Sequence, residues 1–364
     1  MASYDVAIVG AGPAGSTAAY RLASAGASVL LVDKATFPRD KPCGGGVTGR
    51  AARLLPFSID PVVEDVVERL DCGLRYRHRF SRRAHAPLAF MTQRRRLDHY
   101  LVQQAAAAGA EVREGATVDA RELDARLVIG ADGCNGSSAK QLGLAQGVVH
   151  GVALEANYPH EARFAHAMLV EIAVIRGGYG WIFPKGDHVN VGVGGNAEEG
   201  PRLRGELRRL CEEYGIDPDA AADTRGYRLP MRRAGSELAR GNTAVIGDAA
   251  GLVDPFSGDG IYEAFLSAQL VAEAALDVLA GRAETLEPYQ AAVERRIAPL
   301  TRAGWGAKRA FERYPRTTYA LARLPVTFRA LEKVLRGDFA TPGEAHGAEG
   351  LAMRAIYALS RLGA

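Results

Sequence analysis

Glycine spacing is the first feature of this sequence that implies chemistry. Gly10-Ala11-Gly12-Pro13-Ala14-Gly15 fits G-x-G-x-x-G between an apolar run at residues 4–9 and a stretch of small helix formers at 14–25. In that pattern the first glycine permits a tight turn, the second lets the backbone approach a pyrophosphate, and the third lets helix and strand pack closely. The phosphates then meet the free N–H groups and the positive end of the helix. Asp33 closes a second apolar strand at 28–32, 18 residues past Gly15, where a carboxylate would bind ribose hydroxyls, with Lys34 beside it. The unit reads as a dinucleotide site. NAD and FAD share this fingerprint, so the choice between them must come from elsewhere.

Two further glycine-bearing loops follow apolar runs. One is Val128-Ile129-Gly130-Ala131-Asp132-Gly133; the other is Gly247-Asp248-Ala249-Ala250-Gly251, continuing to Gly258-Asp259-Gly260 and a helix from about 261 to 280. With these loops the sequence resembles the flavoprotein superfamily of aromatic hydroxylases and geranylgeranyl reductases. The resemblance implies FAD as the dinucleotide, with Asp248 at its ribityl and phosphate region. It also implies that the helix opening at Ile261 points its positive end at the flavin's pyrimidine side, where the reduced anion carries its charge. Arg94 matches the superfamily arginine that reaches the FAD phosphates or ribose; the plainer reading is a solvated charge within Arg94-Arg95-Arg96. Val118, Asp132, Gly133, Gly247, Gly258 and Gly260 complete the implied cofactor contacts in these segments.

A third loop points to a branch. Phe37-Pro38-Arg39-Asp40-Lys41-Pro42-Cys43-Gly44-Gly45-Gly46 is similar to the loop that lies beside the isoalloxazine ring in the geranylgeranyl reductase family. Cys43, Gly44 and Gly45 are its implied flavin contacts, and successive glycines let backbone approach a planar ligand without Cβ obstruction. Tyr179-Gly180-Trp181-Ile182-Phe183-Pro184-Lys185 resembles that family's Tyr-x-Trp-x-Phe-Pro stretch. Period-2 alternation puts Tyr179, Trp181 and Phe183 on one face, which suits an apolar polyene substrate or plain core. The resemblance covers about residues 4–280 and departs between Val118 and Leu127, where relatives carry a longer β-excursion.

The implied reaction is saturation of an isoprenoid C=C bond in a prenyl lipid. Hydride would come from flavin N5 and a proton from an acid. An isolated alkene gives the transition state carbocation character, so the site needs a dry apolar tunnel and electron-rich faces. Cys43 is then a proton donor or a flavin-face contact, against a small thiol that only shapes its loop. Electrons would come from NAD(P)H, ferredoxin or another carrier protein. Where aromatic hydroxylases usually carry a histidine and an asparagine, this chain has Gly251 and Ile261-Tyr262. Flavin-dependent halogenases need a reactive lysine and a Glu-Ser pair where it has Cys-Gly-Gly-Gly. An FAD-dependent monooxygenase or halogenase acting on an apolar or aromatic small molecule is the enzymatic alternative. The non-enzymatic alternative is an isoprenoid-binding scaffold.

Charge is uneven along the chain. Residues 301–336 hold nine Arg or Lys against two Glu, mixed with Trp305, Phe311, Tyr314, Tyr319 and Phe328. That pattern suits a peripheral contact with an anionic membrane, or a helical cap with a basic exterior. Arg75, Arg77 and Arg79 alternate on one strand face and could receive a lipid phosphate. No nucleic-acid-reading module accompanies the charge.

These residues need positioning by more than one core, because 364 residues exceed what a single core usually serves. The expected class is α/β. A Rossmann-like FAD-binding domain is assembled from residues 1–56, 93–147 and 234–284. An interleaved antiparallel β-sheet substrate domain comes from 57–92 and 148–233, and a C-terminal helical region from 285–364. Cys43, Cys72, Cys134 and Cys211 lie far apart. That spacing argues against a metal site, an iron–sulfur module or a disulfide framework, and for a reducing cytoplasmic compartment. A strand beginning at Tyr4 leaves no room for a signal peptide, and no run of 18 apolar residues appears. The chain is expected in the cytoplasm, free or at a membrane surface.

Overall fold

The computed structural model describes residues 2–339 and 344–361. Its first sheet has six strands in the order Ala239–Arg240, Thr243–Val245, Ala125–Gly130, Tyr4–Val9, Val29–Val32 and Glu111–Arg113. All neighbours are parallel except the Ala239–Arg240 edge. Val29–Val32 is buried at every position, as a parallel strand covered on both faces must be. Helix Pro13–Ser24 packs between helices Arg94–Ala107 and Ile261–Leu279. The last of these is apolar around most of its circumference and correspondingly sunk in the core, with Phe265, Leu270 and Val271 fully enclosed.

The second sheet has seven strands, ordered Ala222–Met231, Val149–Pro159, His188–Asn196, Tyr179–Pro184, Ala167–Ile172, Arg69–Leu74 and Arg77–Arg83. Antiparallel pairing was expected throughout, but Arg69–Leu74 runs parallel to Ala167–Ile172. The expected segment 57–92 also does not stay in one sheet. Ala89–Thr92 leaves to pair with Gly46–Thr48 and Val63–Val67 in a separate three-stranded sheet. Local alternation is identical in either sheet, so only the partner strand decides.

The strand His188–Asn196 carries three glycines because of what lies opposite. Trp181 is paired with Gly192, and Tyr179 with Gly194. The indole lies so flat on Gly192 that an added Cβ would sit 2.5 Å from Trp181 Cε2. Gly192→Ala is therefore expected to destabilise the fold by about 1–3 kcal/mol of overpacking, read as a lower urea midpoint. Gly226→Ala in the same sheet should leave it unchanged, since a Cβ there meets nothing nearer than Ala153 O at 3.7 Å.

Helices Pro315–Ala322 and Pro325–Arg336 reach the second and third sheets, and Gly347–Arg361 packs on Ala298–Arg313, Pro315–Ala322 and Pro325–Arg336. Of the region 285–364, residues 340–343 and 362–364, Pro342 among them, lie outside the described residues. Several aromatics of 301–336 face inward. Phe311 stacks on Phe256 at 5.3 Å, the Tyr319 hydroxyl is 2.8 Å from Cys72 O, and Phe328 is buried with Trp181 and Phe183. Among the described residues no helix is long and apolar enough to cross a membrane.

Candidate functional site

Helix Pro13–Ser24 starts with proline and has no side-chain cap, so its leading N–H groups are available to a ligand. Gly10 adopts φ +104, and a Cβ there would collide with the Ala131 backbone. A Cβ at Gly15 would overlap the Gly10 carbonyl oxygen. Gly12 differs, because the nearest atom to an added Cβ is Arg39 Nη2 at 3.8 Å. The protein's own packing thus demands two of the glycines. The third leaves the space that a pyrophosphate requires. Asp33 accepts from the Ala11 amide at 2.7 Å and the Ala35 amide at 2.8 Å, bracing the loop while further lone pairs remain for ribose hydroxyls. Lys34 is exposed beside it.

Above this loop sit two guanidinium groups sharing one carboxylate. Arg94 is only 5% exposed and donates twice to Asp98, at 2.6 and 2.7 Å; Arg39 Nη1 lies 2.9 Å from the same carboxylate. The solvated reading of Arg94 is therefore excluded. Burial opposes its charge, but Asp98 outweighs burial and raises its pKa. Two cations on one anion leave a net positive charge near Gly12, suited to phosphate.

Asp248 lies one step further along. Lys41 Nζ is 3.1 Å from Asp248 Oδ2, the Tyr227 hydroxyl donates to the same oxygen at 3.3 Å, and Lys41 stands over the Tyr227 ring. A Cβ at Gly133 would lie 3.8 Å from Lys41 Nζ, one at Gly260 would lie 3.1 Å from Asp248 Oδ1, and one at Gly247 would lie 2.9 Å from Ala14 Cβ. The fingerprint and the later loops therefore converge. Burial alone would push the Asp248 carboxyl up, but Lys41, Arg94 and Tyr227 together hold it below the ordinary carboxylate range. A depressed carboxylate stabilises the fold above its unfolded pKa of about 4 and loses that contribution as pH falls through the folded value. Wild type should exceed Asp248→Asn by about 1–2 kcal/mol in urea unfolding at pH 7, with the gap closing below about pH 4. A gap that stayed constant down to pH 3 would contradict the ion pair.

Cys43 is clamped through its backbone. Its N–H donates to Glu155 Oε1 at 2.7 Å, its carbonyl accepts from Lys185 Nζ at 2.8 Å, and its sulfur accepts from the Gly45 amide at 3.3 Å. Burial raises the Glu155 pKa and lowers that of Lys185. Gly45 has φ +78, and its carbonyl accepts from Thr92 N at 2.8 Å and Thr92 Oγ1 at 2.9 Å, which ties the loop to the three-stranded sheet. Gly44 faces the aromatic strand, where an added Cβ would lie 2.9 Å from Phe183 Cδ2. Tyr179, Trp181 and Phe183 follow one another at ring separations of 5.9 and 6.3 Å. Trp181 Nε1 donates to Asn190 Oδ1 at 2.8 Å, and the Tyr179 hydroxyl donates to the Ser257 carbonyl, next to Gly258.

Three expected cofactor residues also have partners within the chain. Asp132 accepts from the Ser137 and Ser138 amides at 2.7 and 2.9 Å and from the Ser138 hydroxyl, so its carboxylate closes the turn after Gly133. The Ile261 amide already donates to Asp259 Oδ1 at 2.9 Å, so the helix end expected to face the flavin is capped by its own chain. Val118 packs against Ala7, Leu30 and Val32 under the first sheet.

A family model described as FAD dependent oxidoreductase matches residues 5–86. Menaquinone reductase of Mycobacterium tuberculosis is 32% identical over 323 residues, covering 74% of this chain and 76% of that protein. Digeranylgeranylglycerophospholipid reductase 2 of Methanothermobacter thermautotrophicus is 30% identical over 331 residues, covering 76% of this chain and 78% of its own. The chain belongs to the geranylgeranyl reductase family of FAD-dependent oxidoreductases. Its fold agrees with a solved geranylgeranyl bacteriochlorophyll reductase-like protein of Thermoplasma acidophilum at TM-score 0.77 and 21% identity, over 98% of this chain and 96% of that one.

Within this geranylgeranyl reductase relative, sequence reading passed over Arg39, Asp98, Lys41, Tyr227, Glu155 and the clamping role of Lys185. Two carried a signal. Asp98 stands four residues after Arg94, the spacing of a helical ion pair. Glu155 is the only charged residue in the strand Val149–Pro159, apart from the histidine His150.

Proposed function

We propose that this chain reduces C=C bonds in the chain of a prenyl lipid, with FAD as the hydride carrier. The observation that carries the reading is the packing of loop 43–46 against the Tyr179–Pro184 aromatic strand, with Gly44 set directly against Phe183. FAD, when bound, supplies hydride from flavin N5. Gly12, Arg39, Arg94 and Asp33 would hold its pyrophosphate and ribose, and Lys41 with Asp248 its ribityl side.

The chain's own residues supply the rest. Trp181, Phe183 and Phe328 exclude water, and the faces of Trp181 and Tyr179 stabilise developing positive charge on a carbon. Cys43 would present its thiol toward bound flavin, and Glu155 with Lys185 holds the backbone that carries it. NAD(P)H or a ferredoxin-type carrier protein provides the electrons. The basic outer surface of 301–336 offers a peripheral contact with anionic lipid, which salt-sensitive sedimentation with liposomes would register.

The test is the holoprotein with dithionite and candidate prenyl lipids, read by mass spectrometry. Gains of two hydrogens per double bond are expected. Hydroxylated or halogenated products would overturn the reading, as would a protein that cannot be reconstituted with FAD.

A further inference from the structure

Asp254, Asp259 and Glu263 bring three carboxyl groups together where the loop after Val253 enters helix Ile261–Leu279. Glu263 is 2% exposed, and its Oε2 has no hydrogen-bond partner among the described residues. Asp259 commits Oδ1 to the Ile261 and Tyr262 amides, at 2.9 and 3.4 Å. Asp254 commits Oδ1 to the Phe256 and Ser257 amides, at 3.1 and 2.7 Å, and to the Ser257 hydroxyl at 2.8 Å. The compensating charge is Arg50, on the short helix Gly49–Ala52. Arg50 lies over the Tyr262 ring at 4.0 Å, with Nη2 4.0 Å from Asp259 Oδ2 and a buried Nε that has no partner among the described residues. Two more cations flank the group: Lys308 of helix Ala298–Arg313 feels Asp254, and Arg296 of helix Glu287–Arg296 feels Tyr262.

Three carboxylates cannot all ionise beside one guanidinium in an enclosed site, so at least one proton stays. Burial, joined by Asp259 and Asp254, holds the Glu263 carboxyl well above its ordinary value, with Arg50 opposing. Burial raises Asp259 as well, again against Arg50. This group meets the proposed reaction site at Tyr179. The Tyr179 hydroxyl donates to the Ser257 carbonyl. Its ionisation is opposed by burial first, then by Asp259, Asp254 and Cys43, so it stands within electrostatic reach of both the carboxyls and the thiol.

Saturating one C=C bond consumes a hydride and a proton. With Cys43 as donor, its S–H bond breaks, a C–H bond forms on one alkene carbon, and the S–H electron pair stays on sulfur. The neighbouring carbon takes the hydride. The loop is left with a thiolate in a site from which Trp181, Phe183 and Phe328 exclude water. We propose that Glu263, together with Asp259, stores the proton that restores the Cys43 thiol after each double bond and passes it by way of the Tyr179 hydroxyl. In that transfer a carboxyl O–H bond breaks and an S–H bond forms, with no change of oxidation state. The carboxylate left behind faces Arg50, and solvent returns its proton between turnovers. The inference rests on the prenyl reading and adds the source of its proton.

The test follows reduction bond by bond. Holoprotein is mixed anaerobically with excess dithionite and excess geranylgeranyl diphosphate, a digeranylgeranyl glycerophospholipid or menaquinone, and quenched products are counted by mass. In Glu263→Gln the first bond per flavin is expected at the wild-type rate, because the thiol starts protonated. Later bonds should be about 10- to 100-fold slower. The amide is isosteric, and Oε2 has no hydrogen bond to lose. Tyr179→Phe, which keeps the ring, should show the same lag, and Glu273→Gln, exposed on the same helix, should change nothing. Wild-type later bonds should also slow as pH rises through the elevated Glu263 value, where the stored proton is lost; Glu263→Gln should lack that inflection. Infrared spectra of the resting holoprotein give a readout without turnover. A protonated-carboxyl band at pH 7 should lose intensity in Glu263→Gln and, in wild type, on raising the pH. First and later bonds slowed alike, later bonds at full rate, or a spectrum unchanged by the substitution would overturn the proton store. Infrared loss without reduction of any lipid, even by wild type, would remove the prenyl reading and leave the stored proton in place. Normal lipid reduction with an unchanged spectrum would do the reverse.

Discussion

Replacing Gly12 with alanine is expected to weaken FAD binding by about 10- to 100-fold without unfolding the protein, whereas Gly15→Ala should destabilise the apoprotein itself. A Cβ at Gly12 meets no atom nearer than Arg39 Nη2 at 3.8 Å, so the apoprotein accommodates it. The methyl group would occupy the approach of the pyrophosphate to the helix end, removing charge-assisted hydrogen bonds of about 1.5–3 kcal/mol. At Gly15 the same methyl overlaps the carbonyl of Gly10, and strand and helix must separate. Thermal melts of both apoproteins and FAD titration by flavin fluorescence would check this. Equal melting and equal affinity loss in the two variants would contradict the division of roles.

Cys43→Ala is expected to lower turnover by about 10²- to 10⁴-fold while FAD content stays unchanged, the range for loss of a positioned proton donor. The substitution is clean because the loop is held elsewhere. Glu155 and Lys185 bind the Cys43 backbone, and Thr92 binds Gly45. Only the thiol and the bond it accepts from the Gly45 amide disappear. Full turnover in the variant would reduce Cys43 to a residue that shapes its loop.

The parts of this site that could be read from the chain are those with local causes. The fingerprint was legible because its three glycines fall at fixed spacing within one strand–turn–helix unit. The shared face of Tyr179, Trp181 and Phe183 followed from strand periodicity. What escaped notice comes from distant pairing. Glu155 and Lys185 reach Cys43 across 112 and 142 positions, and Lys41 reaches Asp248 across 207. No local pattern encodes such meetings. The same applies to Ala89–Thr92, whose alternation fits two sheets equally. Asp132 and Ile261 show the converse limit. A motif marks where backbone must pass near the cofactor, but short-range partners, Ser138 and Asp259, then compete for the side chain and the amide.

The most direct measurement is anaerobic mixing of the dithionite-reduced holoprotein with one equivalent of a phosphorylated prenyl lipid and, separately, with its fully saturated counterpart. Return of the oxidised flavin band only with the unsaturated lipid, matched by one reduced double bond per flavin, is the expected result. A flavin that stays reduced with every prenyl lipid, or that reoxidises only when oxygen is admitted and yields oxygenated product, would contradict prenyl reduction.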